Sequence, residues 1–434
     1  MTTHRHQILN KTFHLTPNAQ IVIVGDGVTG QSAARFFNSL GYHFVVVDSR
    51  VAPFTQETFK EATHLLVSPG VSLSEPLIAQ ALDAGAILMS DIDIFATLAQ
   101  APIIAISGAN GKSTVTTMVG DMAAACGKRV GVGGNLGTPA LDLLCEQTEL
   151  YVLELSSFQL ERTSHLNAAA ASVLNISADH LDRHGDLDNY AQAKAHIFAG
   201  DGAVILNRDD ERVYAMREAT RQTYTFSIKQ PADFYLANQM LMHKEQILMP
   251  RSELPLEGKH NVANALAAFA LANALGLDMN ACKTALKCFK ALDHRMQRVS
   301  EKLGFSWVND SKATNIGACI AALEGYDEKV ILIAGGDGKG ADMNELAPVI
   351  VEKAKAVILT GKDAKRIEEA LQSLPSIVPA YHAQDMREVV AIASHIAKVG
   401  DTILLSPACA SLDQYKNYQD RGNHFAFAIE ALPA

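Results

Sequence analysis

The segment 103–126 constrains the fold of this chain more than any other part of its sequence. It begins with the apolar run IIAI, continues through the loop SGANGKST and then reads as a helix from Lys112 to about Cys126. Glycines in such a loop let backbone N–H groups turn inward, and the N-terminus of the following helix attracts anions. A strand, a phosphate-binding loop and a helix in this order predict a parallel α/β domain that binds a nucleotide.

The loop departs from the common phosphate-binding pattern GxxxxGK[ST], because Ile106 occupies the position of its first glycine. Gly108 and Gly111 remain, Lys112 can reach the terminal phosphates of a nucleotide, and Ser113 can ligate Mg²⁺. The alternative is a strand-to-helix turn whose lysine is only solvated. GK[ST] between a strand and a helix favours the phosphate site.

A second glycine-rich turn lies near the start of the chain. The apolar run 19–24 leads into GDGVTG, which spans Gly25 to Gly30, and a predicted helix 31–40 is followed by a strand 44–48 that ends at Asp48. This βαβ unit matches the dinucleotide-binding fingerprint, but the same geometry binds the diphosphate of a UDP-sugar. An NAD-dependent oxidoreductase and a purely structural turn therefore remain alternatives at this point.

Strand and helix signals alternate along the whole chain and predict an α/β protein with parallel sheets. At 434 residues, and with roughly 100–200 residues per domain, we expect three domains at 1–92, 93–294 and 295–434. Further strands are predicted at 64–67, 86–89, 103–106, 150–155, 171–176, 203–206, 330–334, 356–359 and 402–405, with an irregular polar stretch that ends near Glu257 and a helix at 261–275.

Composition excludes several classes of function. The net charge is −10 and the longest basic run is a dipeptide such as Lys128-Arg129, so the chain is not expected to bind nucleic acid. The six cysteines form no CxxC pair, which indicates reduced thiols. The start of the chain has no apolar signal region, and the apolar tract 262–277 is interrupted by Asn264 and Asn273. We expect a cytoplasmic monomer without membrane insertion.

Two polar segments follow strands of the predicted central domain. Glu154 ends the strand 150–155, where a carboxylate beside the phosphate loop can hold Mg²⁺; the alternative is a capping or ion-paired glutamate. The segment 175–185 carries His180 and His184 four residues apart. Because Gly185 interrupts the helix and no third ligand is evident, a functional His180 and a structural His184 are favoured over a zinc pair.

Further candidates lie toward the end of the chain. Helix capping explains Asn261 well but Asn264 poorly. Arg295 is suited to bidentate contact with phosphate. The segments NDSKATN at 309–315 and GGDGKG at 335–340 collect polar residues after strands, where binding groups concentrate.

Together these segments resemble the Mur ligase family, which comprises ATP-dependent, amide-forming enzymes of peptidoglycan precursor synthesis, and the resemblance covers almost the whole chain. The family's loop reads GxxGK[ST], so Ile106 is no defect. GDGVTG, DSR at 48–50, SPG at 68–70 and above all LSPACASLDQYKNYQDRGN at 405–423 resemble the branch that adds D-glutamate to UDP-N-acetylmuramoyl-L-alanine. That branch first converts the alanyl carboxylate into an acyl phosphate.

The resemblance also implies an N-terminal Rossmann-like UDP-binding domain, a central ATPase of the phosphate-loop type and a C-terminal Rossmann-like domain. The implied UDP-substrate contacts are Val28, Thr29, Asp48, Ser49, Arg50, Gly70 and Asn135, and those of D-glutamate are Thr314, Lys339, Ser411 and Tyr418, the last replacing a frequent Phe. The implied ATP contacts are Gly108, Asn110, Gly111, Lys112, Ser113, Thr114, Asn264, Arg295 and Asp310. Ser113 and Glu154 match ligands of one Mg²⁺, whereas His180 and a carbamylated Lys194 match those of a second. The implied catalytic residues are Lys112, His180, Lys194 and Arg295.

Three alternatives remain open on the sequence alone. The first is another amide ligase of the same family with a different amino acid or a folate acceptor. The second is the NAD-dependent oxidoreductase, which would not need Lys112. The third is a nucleotide sensor that binds ATP without turning it over.

Overall fold

A computed structural model describes residues 2–256 and 258–433, and every structural statement below refers to these residues. Glu257, where the sequence predicts the end of the irregular stretch, lies outside the described residues. The chain forms three successive α/β units, each built around its own sheet, which are called the first unit (2–98), the central unit (103–287) and the third unit (297–430).

The first unit contains a parallel sheet in the order β2-β1-β3-β4. The GDGVTG turn joins β1 to α2, and Gly30 must be a glycine there because a Cβ would lie 1.9 Å from the carbonyl oxygen of Gly25. The predicted βαβ unit is confirmed, although its helix begins at Val28. The strands are β1 Ile21–Val24, β2 Phe44–Val47, β3 His64–Val67 and β4 Ile87–Met89; the helices are α1 Thr2–Phe13, α2 Val28–Leu40, α3 Gln56–Phe59, α4 Pro76–Asp83 and α5 Asp91–Leu98.

The central unit contains a mixed sheet in the order β13-β12-β11-β10-β9-β8-β5-β7-β6. It is parallel from β6 to β11 and antiparallel from β11 to β13. The prediction of an irregular stretch was wrong here, because its residues form the antiparallel edge. The strands are β5 Ile103–Ser107, β6 Val130–Gly134, β7 Leu150–Glu154, β8 Ala170–Val173, β9 Ala203–Asn207, β10 Thr223–Ser227, β11 Phe234–Ala237, β12 Met240–His243 and β13 Gln246–Pro250; the helices are α6 Lys112–Ala125, α7 Ser157–Leu160, α8 Leu181–His184, α9 Leu187–Ala195, α10 Glu211–Ala215, α11 Lys259–Ala274 and α12 Met279–Lys287.

The third unit contains a sheet in the order β14-β15-β19-β16-β17-β18, parallel except for its edge strand β14. Its predicted strands at 330–334, 356–359 and 402–405 are all present. The strands are β14 Gln297–Ser300, β15 Ser306–Asn309, β16 Val330–Gly335, β17 Ala354–Thr360, β18 Ala380–His382 and β19 Thr402–Leu405; the helices are α13 Ile316–Leu323, α14 Ala347–Lys353, α15 Ala364–Gln372, α16 Met386–Ile396 and α17 Tyr418–Glu430.

The apolar cores do not divide as the sheets do. One continuous cluster contains Leu9 and Phe95 of the first unit together with Tyr151 and Leu160 of the central unit. The third unit has clusters of its own on the two faces of its sheet. A chain division after residue 92 would fall inside α5, whereas a division after residue 294 falls in the turn between α12 and β14. In the described part of the chain, no helix is both long and apolar enough to cross a bilayer.

Candidate active site

The candidate site lies where the parallel strands of the central sheet end. The strands β8, β5, β7 and β6 are neighbours, so their carboxyl ends bring the phosphate loop close to Glu154, Asn135 and Asn175. Asn175 accepts a hydrogen bond from the backbone N–H of Asn110 at 2.8 Å and donates one to its carbonyl at 3.0 Å. The edge of the sheet that binds ligands in open α/β folds thus carries the predicted motifs.

The phosphate loop has the backbone that its glycines predict. Gly111 has φ of +84° and a Cβ there would lie 2.4 Å from Oδ1 of Asn264, so only glycine fits under that side chain. The Nζ of Lys112 donates hydrogen bonds of 2.8 Å to the carbonyl oxygens of Gly108 and Ala109. Burial lowers the pKa of Lys112. Its ammonium lies over the loop, where a phosphate would be held.

A hydrogen-bonded group of Ser113, Glu154, Asn135 and Arg295 joins four segments of the chain. Ser113 donates its hydroxyl to Glu154 at 2.6 Å, Asn135 donates to the other carboxylate oxygen at 2.7 Å, and Arg295 donates to Ser113 at 2.7 Å. Burial opposes ionisation of Glu154, but the charge of Lys112 and the hydrogen bonds from Ser113 and Asn135 outweigh it and hold its pKa below its ordinary value. Glu154 is therefore a buried, ionised carboxylate.

Two adjoining cavities open on the phosphate loop. The first has a volume of about 670 Å³, and the second, of about 390 Å³, lies on the side of the first unit. Both are lined by Asn110, Gly111, Arg295 and Lys312, so they meet at the loop. The first is also lined by the predicted ATP contacts Thr114, Asn264 and Asp310; the second is also lined by Gly70, Lys112, Ser113, Asn135, Glu154, His180, Lys194 and Thr314.

His180 faces the second cavity from the residue that precedes α8, and Lys194 faces it from α9. His180 has a left-handed backbone with φ of 56° and lies 3.7 Å from Asp179, and burial lowers the pKa of its imidazole to about 4. Lys194 is 1% exposed, its Nζ lies 3.4 Å from the hydroxyl of Ser107, and its ammonium lies 4.5 Å from the ring centre of Tyr190. Burial lowers the pKa of Lys194 well below its ordinary value. Both side chains are thus biased toward their neutral forms.

A structural role is expected for His184 and a helix-capping role for Asn261, and the structure supports only the first. His184 is held by Ser157 at 3.0 Å and stacks on the ring of Phe158, as expected of a structural residue. Helix capping is wrong for Asn261, because α11 begins after Gly258 and Asn261 instead accepts a hydrogen bond from Asn264 at 3.2 Å.

The predicted UDP contacts divide into two groups. Gly70 and Asn135 line the second cavity. Val28, Thr29, Asp48, Ser49 and Arg50 follow β1 and β2 of the first unit and line neither cavity. The carboxylate of Asp48 accepts hydrogen bonds from the side chain and backbone of Arg50 and from the backbone of Asp26, which lower its pKa. Val28 and Arg50 are exposed at the carboxyl edge of the first sheet.

Three of the predicted D-glutamate contacts, Thr314, Lys339 and Ser411, lie on loops of the third unit, and Tyr418 is the first residue of α17. Lys339 forms an ion pair of 2.9 Å with Asp179 of the central unit. The backbone of Asp337 pairs with that of Ala410, which joins the loop of Lys339 to that of Ser411. Thr314 and Lys339 line one small recess beside His180, whereas Tyr418 lies apart from them, with its ring under the ammonium of Lys312.

Lys312 and Asp179 are site residues that sequence reasoning missed. Lys312 faces both cavities and its ammonium lies 3.9 Å from the ring centre of Tyr418. Burial, together with the charges of Arg295 and Lys112, lowers the pKa of Lys312 to about 8. Asp179 receives hydrogen bonds from both Lys339 and Asn315. The signal in each case was a charged residue inside a polar loop after a strand.

Asp310 is held beneath the first cavity. Its carboxylate accepts hydrogen bonds from the backbone N–H of Met296 at 3.2 Å and from the hydroxyl of Ser406 at 2.9 Å. Burial raises its pKa to about 7. Asp310 is therefore a fixed acceptor near Arg295 at the wall of the predicted ATP site.

The residues present suit magnesium. Ser113 and Glu154 supply a hydroxyl and an ionised carboxylate 2.6 Å apart, and Mg²⁺ prefers such oxygen ligands. Among the described residues, no group of three His, Cys, Asp or Glu side chains is arranged for a metal. A cation here would depend on water and nucleotide oxygens for its remaining ligands, which is how Mg²⁺ is usually held at nucleotide sites.

Comparison with known proteins places all three units in one family. Residues 19–90 match the Mur ligase MurD-like N-terminal domain, residues 106–272 the Mur ligase middle domain and residues 294–409 the Mur ligase glutamate ligase domain. The fold is shared with UDP-N-acetylmuramate-alanine ligase MurC of Thermotoga maritima, which is 19% identical with a TM-score of 0.62 over 95% of this chain and 99% of that one.

Curated relatives match over nearly their full length. The UDP-N-acetylmuramoylalanine–D-glutamate ligase of Methylococcus capsulatus is 47% identical, with 96% of both chains covered. The enzyme of the same name from Nitrosococcus oceani is 45% identical, with 98% of this chain and 99% of the relative covered. That of Pseudomonas aeruginosa is 45% identical over 95% and 98%. This chain therefore belongs to the Mur ligase family, within the group of the UDP-N-acetylmuramoylalanine–D-glutamate ligases.

Proposed function

We propose that this chain is an ATP-dependent ligase that joins D-glutamate to UDP-N-acetylmuramoyl-L-alanine and releases ADP and phosphate in peptidoglycan precursor synthesis. One observation carries the proposal. The cavity lined by the predicted ATP contacts meets the cavity lined by predicted substrate contacts at Arg295, Lys312 and the phosphate loop. A terminal phosphate at this meeting point would face the substrate.

The chemistry accounts for the arrangement. A carboxylate is a poor electrophile, so an oxygen of the alanyl carboxylate attacks the γ-phosphorus of ATP, and ADP leaves. The amine of D-glutamate then attacks the acyl carbon, the carbon–oxygen bond breaks, phosphate leaves and the amine loses a proton. Lys112 and Arg295 would offset the repulsion between the two anions, and fixed positive charge is the main means of accelerating phosphoryl transfer.

Magnesium held by Ser113 and Glu154, with a second ion held by His180 and a modified Lys194, would neutralise charge on the triphosphate and the acyl phosphate. His180 suits this role because its neutral imidazole is the form that ligates metals. Ser113 and Glu154 are held within 2.6 Å of each other by their hydrogen bond.

Lys194 is proposed to carry a carbamate. An ammonium cannot ligate a cation, whereas a neutral amine attacks CO₂, forms a nitrogen–carbon bond and loses a proton to leave an anionic oxygen ligand. Burial of Lys194 favours the neutral amine. A Lys194→Ala variant should lose activity and regain part of it with short carboxylic acids. Full activity of that variant, or no rescue, would refute the role.

The family's sequence pattern indicates which residues would hold each part of the substrates. Asp48 and Arg50, with Val28, Thr29, Ser49 and Gly70, would hold the UDP moiety, so the GDGVTG turn would bind UDP in place of NAD. Asn135 would contact the sugar-peptide part. Thr314, Lys339, Ser411 and Tyr418 would hold D-glutamate.

We also propose domains at 1–92, 93–294 and 295–434, with the first boundary lying within α5, and a cytoplasmic monomer. The cytoplasm is where ATP and UDP-sugars are available, and one chain supplies every candidate residue. Sedimentation of the purified protein tests the monomer.

One assay tests the proposed function. Phosphate release from ATP is measured with UDP-N-acetylmuramoyl-L-alanine and, in parallel, D-glutamate, L-glutamate, L-lysine or meso-diaminopimelate. Release with D-glutamate alone is expected. Release with another amino acid would indicate a different ligase of the family, and release with none would overturn the proposal.

A further inference from the structure

Arg162 of the central unit holds a loop of the first unit through its guanidinium. Its side chain is fully buried at 0% exposure. Nη1 donates to the carbonyl oxygens of Val67 at 2.8 Å and Ser68 at 3.0 Å, and Nη2 donates to that of Val71 at 3.0 Å. One side chain therefore fixes the last carbonyl of β3 and two carbonyls of the loop that follows it.

That loop connects the glycine turn with the second cavity. The hydroxyl of Ser68 donates to the carbonyl of Gly25 at 3.1 Å, and its Cβ leaves no room for a side chain at Gly25. Pro69 and Gly70 line the second cavity. A displacement of the loop would thus move both the GDGVTG turn and one wall of the cavity.

The backbone segment that carries Arg162 is also held in place. It follows α7, whose residues Ser157 and Phe158 line the second cavity together with Gly70. Two residues further on, the carboxylate of Asp93 accepts hydrogen bonds from the backbone N–H groups of Ser164 and His165 at 2.8 and 2.7 Å. The segment that carries Arg162 is therefore anchored to α5 as well.

We propose that Arg162 is a positioning residue for the UDP-sugar substrate. The inference rests on the proposed function, because it assigns Arg162 to the substrate of that reaction. The planar guanidinium has its donors in a rigid fork, so it sets both the distance and the direction of the loop 68–71 relative to α7. An ammonium or an apolar side chain cannot reproduce this fork.

The test uses Arg162→Met and Arg162→Lys in the full-length protein, with Arg35→Met as the matched control. Arg35 forms an exposed ion pair of 2.5 Å with Asp142, so it also joins the first and central units but contacts neither the loop nor the cavity. For Arg162→Met we expect the KM of the UDP-sugar substrate to rise about tenfold or more, because misplacement of a binding group weakens substrate positioning. Arg162→Lys should show a smaller rise.

The KM values for ATP and D-glutamate should stay within about twofold in both Arg162 variants, as should the kcat at saturation. Arg35→Met should resemble the wild type. A purely structural role would instead reduce the active fraction, which lowers kcat and leaves all three KM values unchanged. That pattern, or an equal rise in all three KM values, would overturn the inference.

Titration of the same proteins with UDP alone separates this inference from the proposed function. UDP affinity should fall by a factor similar to the rise in KM in Arg162→Met and remain unchanged in Arg35→Met. If the wild type bound UDP but released no phosphate with D-glutamate, the proposed function would fail, and the titration would still decide the role of Arg162. Equal UDP affinity in wild type and Arg162→Met would refute that role.

Discussion

The two junctions between the units differ in the chemistry of their contacts. The first and central units share one apolar cluster, in which Phe95 of α5 meets the ring of Tyr151 of β7 at 4.9 Å. The central and third units meet through polar groups: Asn110 and Asn315 exchange hydrogen bonds of 3.1 and 3.2 Å, and Asp179 pairs with Lys339. Arg295, in the connection just before β14, donates a hydrogen bond to Ser113. None of the apolar clusters described joins the third unit to the central one.

This difference indicates which junction opens. Separating the first junction would expose a continuous core, and burial of one large apolar side chain is worth about 1.5–3 kcal/mol. Separating the second junction exchanges hydrogen bonds worth about 0.5–1.5 kcal/mol each for hydrogen bonds with water. We therefore expect the third unit to move relative to a fixed pair formed by the first and central units, and to close on ATP and substrate.

The largest expected effect comes from weakening the apolar junction. Phe95→Ala should lower the free energy of unfolding by about 3–5 kcal/mol, because it empties a fully buried site. Differential scanning calorimetry should show that the first and central units still unfold together, at a lower temperature. Phe425→Ala, in the core of the third unit, is the control and should shift a different transition. Separate melting of the first unit in Phe95→Ala would contradict the shared core.

The polar junction should carry catalysis more than stability. Arg295→Ala should lower kcat/KM by about 10²–10³-fold, the usual cost of removing one donor that stabilises transition-state charge. Its melting temperature should change little, because Arg295 is half-buried and adds no apolar core. Arg298→Ala, three residues further on in β14, alters an exposed ion pair with Glu301 and serves as the control. A loss of activity shared by both variants would remove Arg295 from the site.

The sequence predicts the fold best where a strand is buried and regular. The runs that form β1, β3, β5 and β19 are mostly apolar and almost wholly buried, and the sequence predicts them within two residues of their bounds. The edge strand Gln246–Pro250 was missed because its first two residues are exposed and only Leu248 and Met249 are buried. The helix Thr2–Phe13 was missed for a similar reason, since most of its residues are polar.

The candidate site was predictable where residues are close in sequence or end neighbouring strands. Ser113 and Glu154 meet because β5 and β7 are adjacent. Asp179 and Lys339 are 160 positions apart in sequence, and Arg162 and Val67 are 95 positions apart. In each pair the two residues belong to different units. No periodicity or spacing reports such contacts, because they depend on how whole units are placed.

A buried carboxylate at the first junction gives that junction a pH dependence. Burial raises the pKa of Asp91 from its ordinary 3.8 to about 6. The folded state thus binds a proton at Asp91 more tightly than the unfolded state does. The stabilisation that comes from this bound proton is complete below about pH 4 and is lost as the pH rises through about 6. Two units of pKa correspond to roughly 3 kcal/mol.

Asp91→Asn should remove this dependence on pH from the free energy of unfolding of the first and central units. Urea denaturation at pH 5 and pH 8 measures it, and Asp83→Asn, at the exposed end of α4, is the control. If Asp91→Asn kept the pH dependence of the wild type, the carboxyl of Asp91 would not be its source.

The smallest expected effect tests how closely the second junction packs. Gly317 of α13 faces Ser177 of the central unit, and a Cβ at Gly317 would lie 2.8 Å from its hydroxyl oxygen and 2.9 Å from its Cβ. Gly317→Ala should keep the third unit from closing fully. Overpacking costs about 1–3 kcal/mol, so kcat/KM should fall by about tenfold.

A second substitution distinguishes a clash across the junction from a local defect in the helix. Ser177→Gly removes the two atoms that would lie 2.8 and 2.9 Å from a Cβ at position 317, so the double variant should recover most of the lost kcat/KM. Small-angle scattering with an ATP analogue and the UDP-sugar substrate should show compaction in the wild type and the double variant, but less in Gly317→Ala. If Ser177→Gly gave no recovery, the loss would arise within α13; if the wild type showed no compaction, the polar junction would be as rigid as the apolar one, and its hydrogen bonds would serve binding without closure.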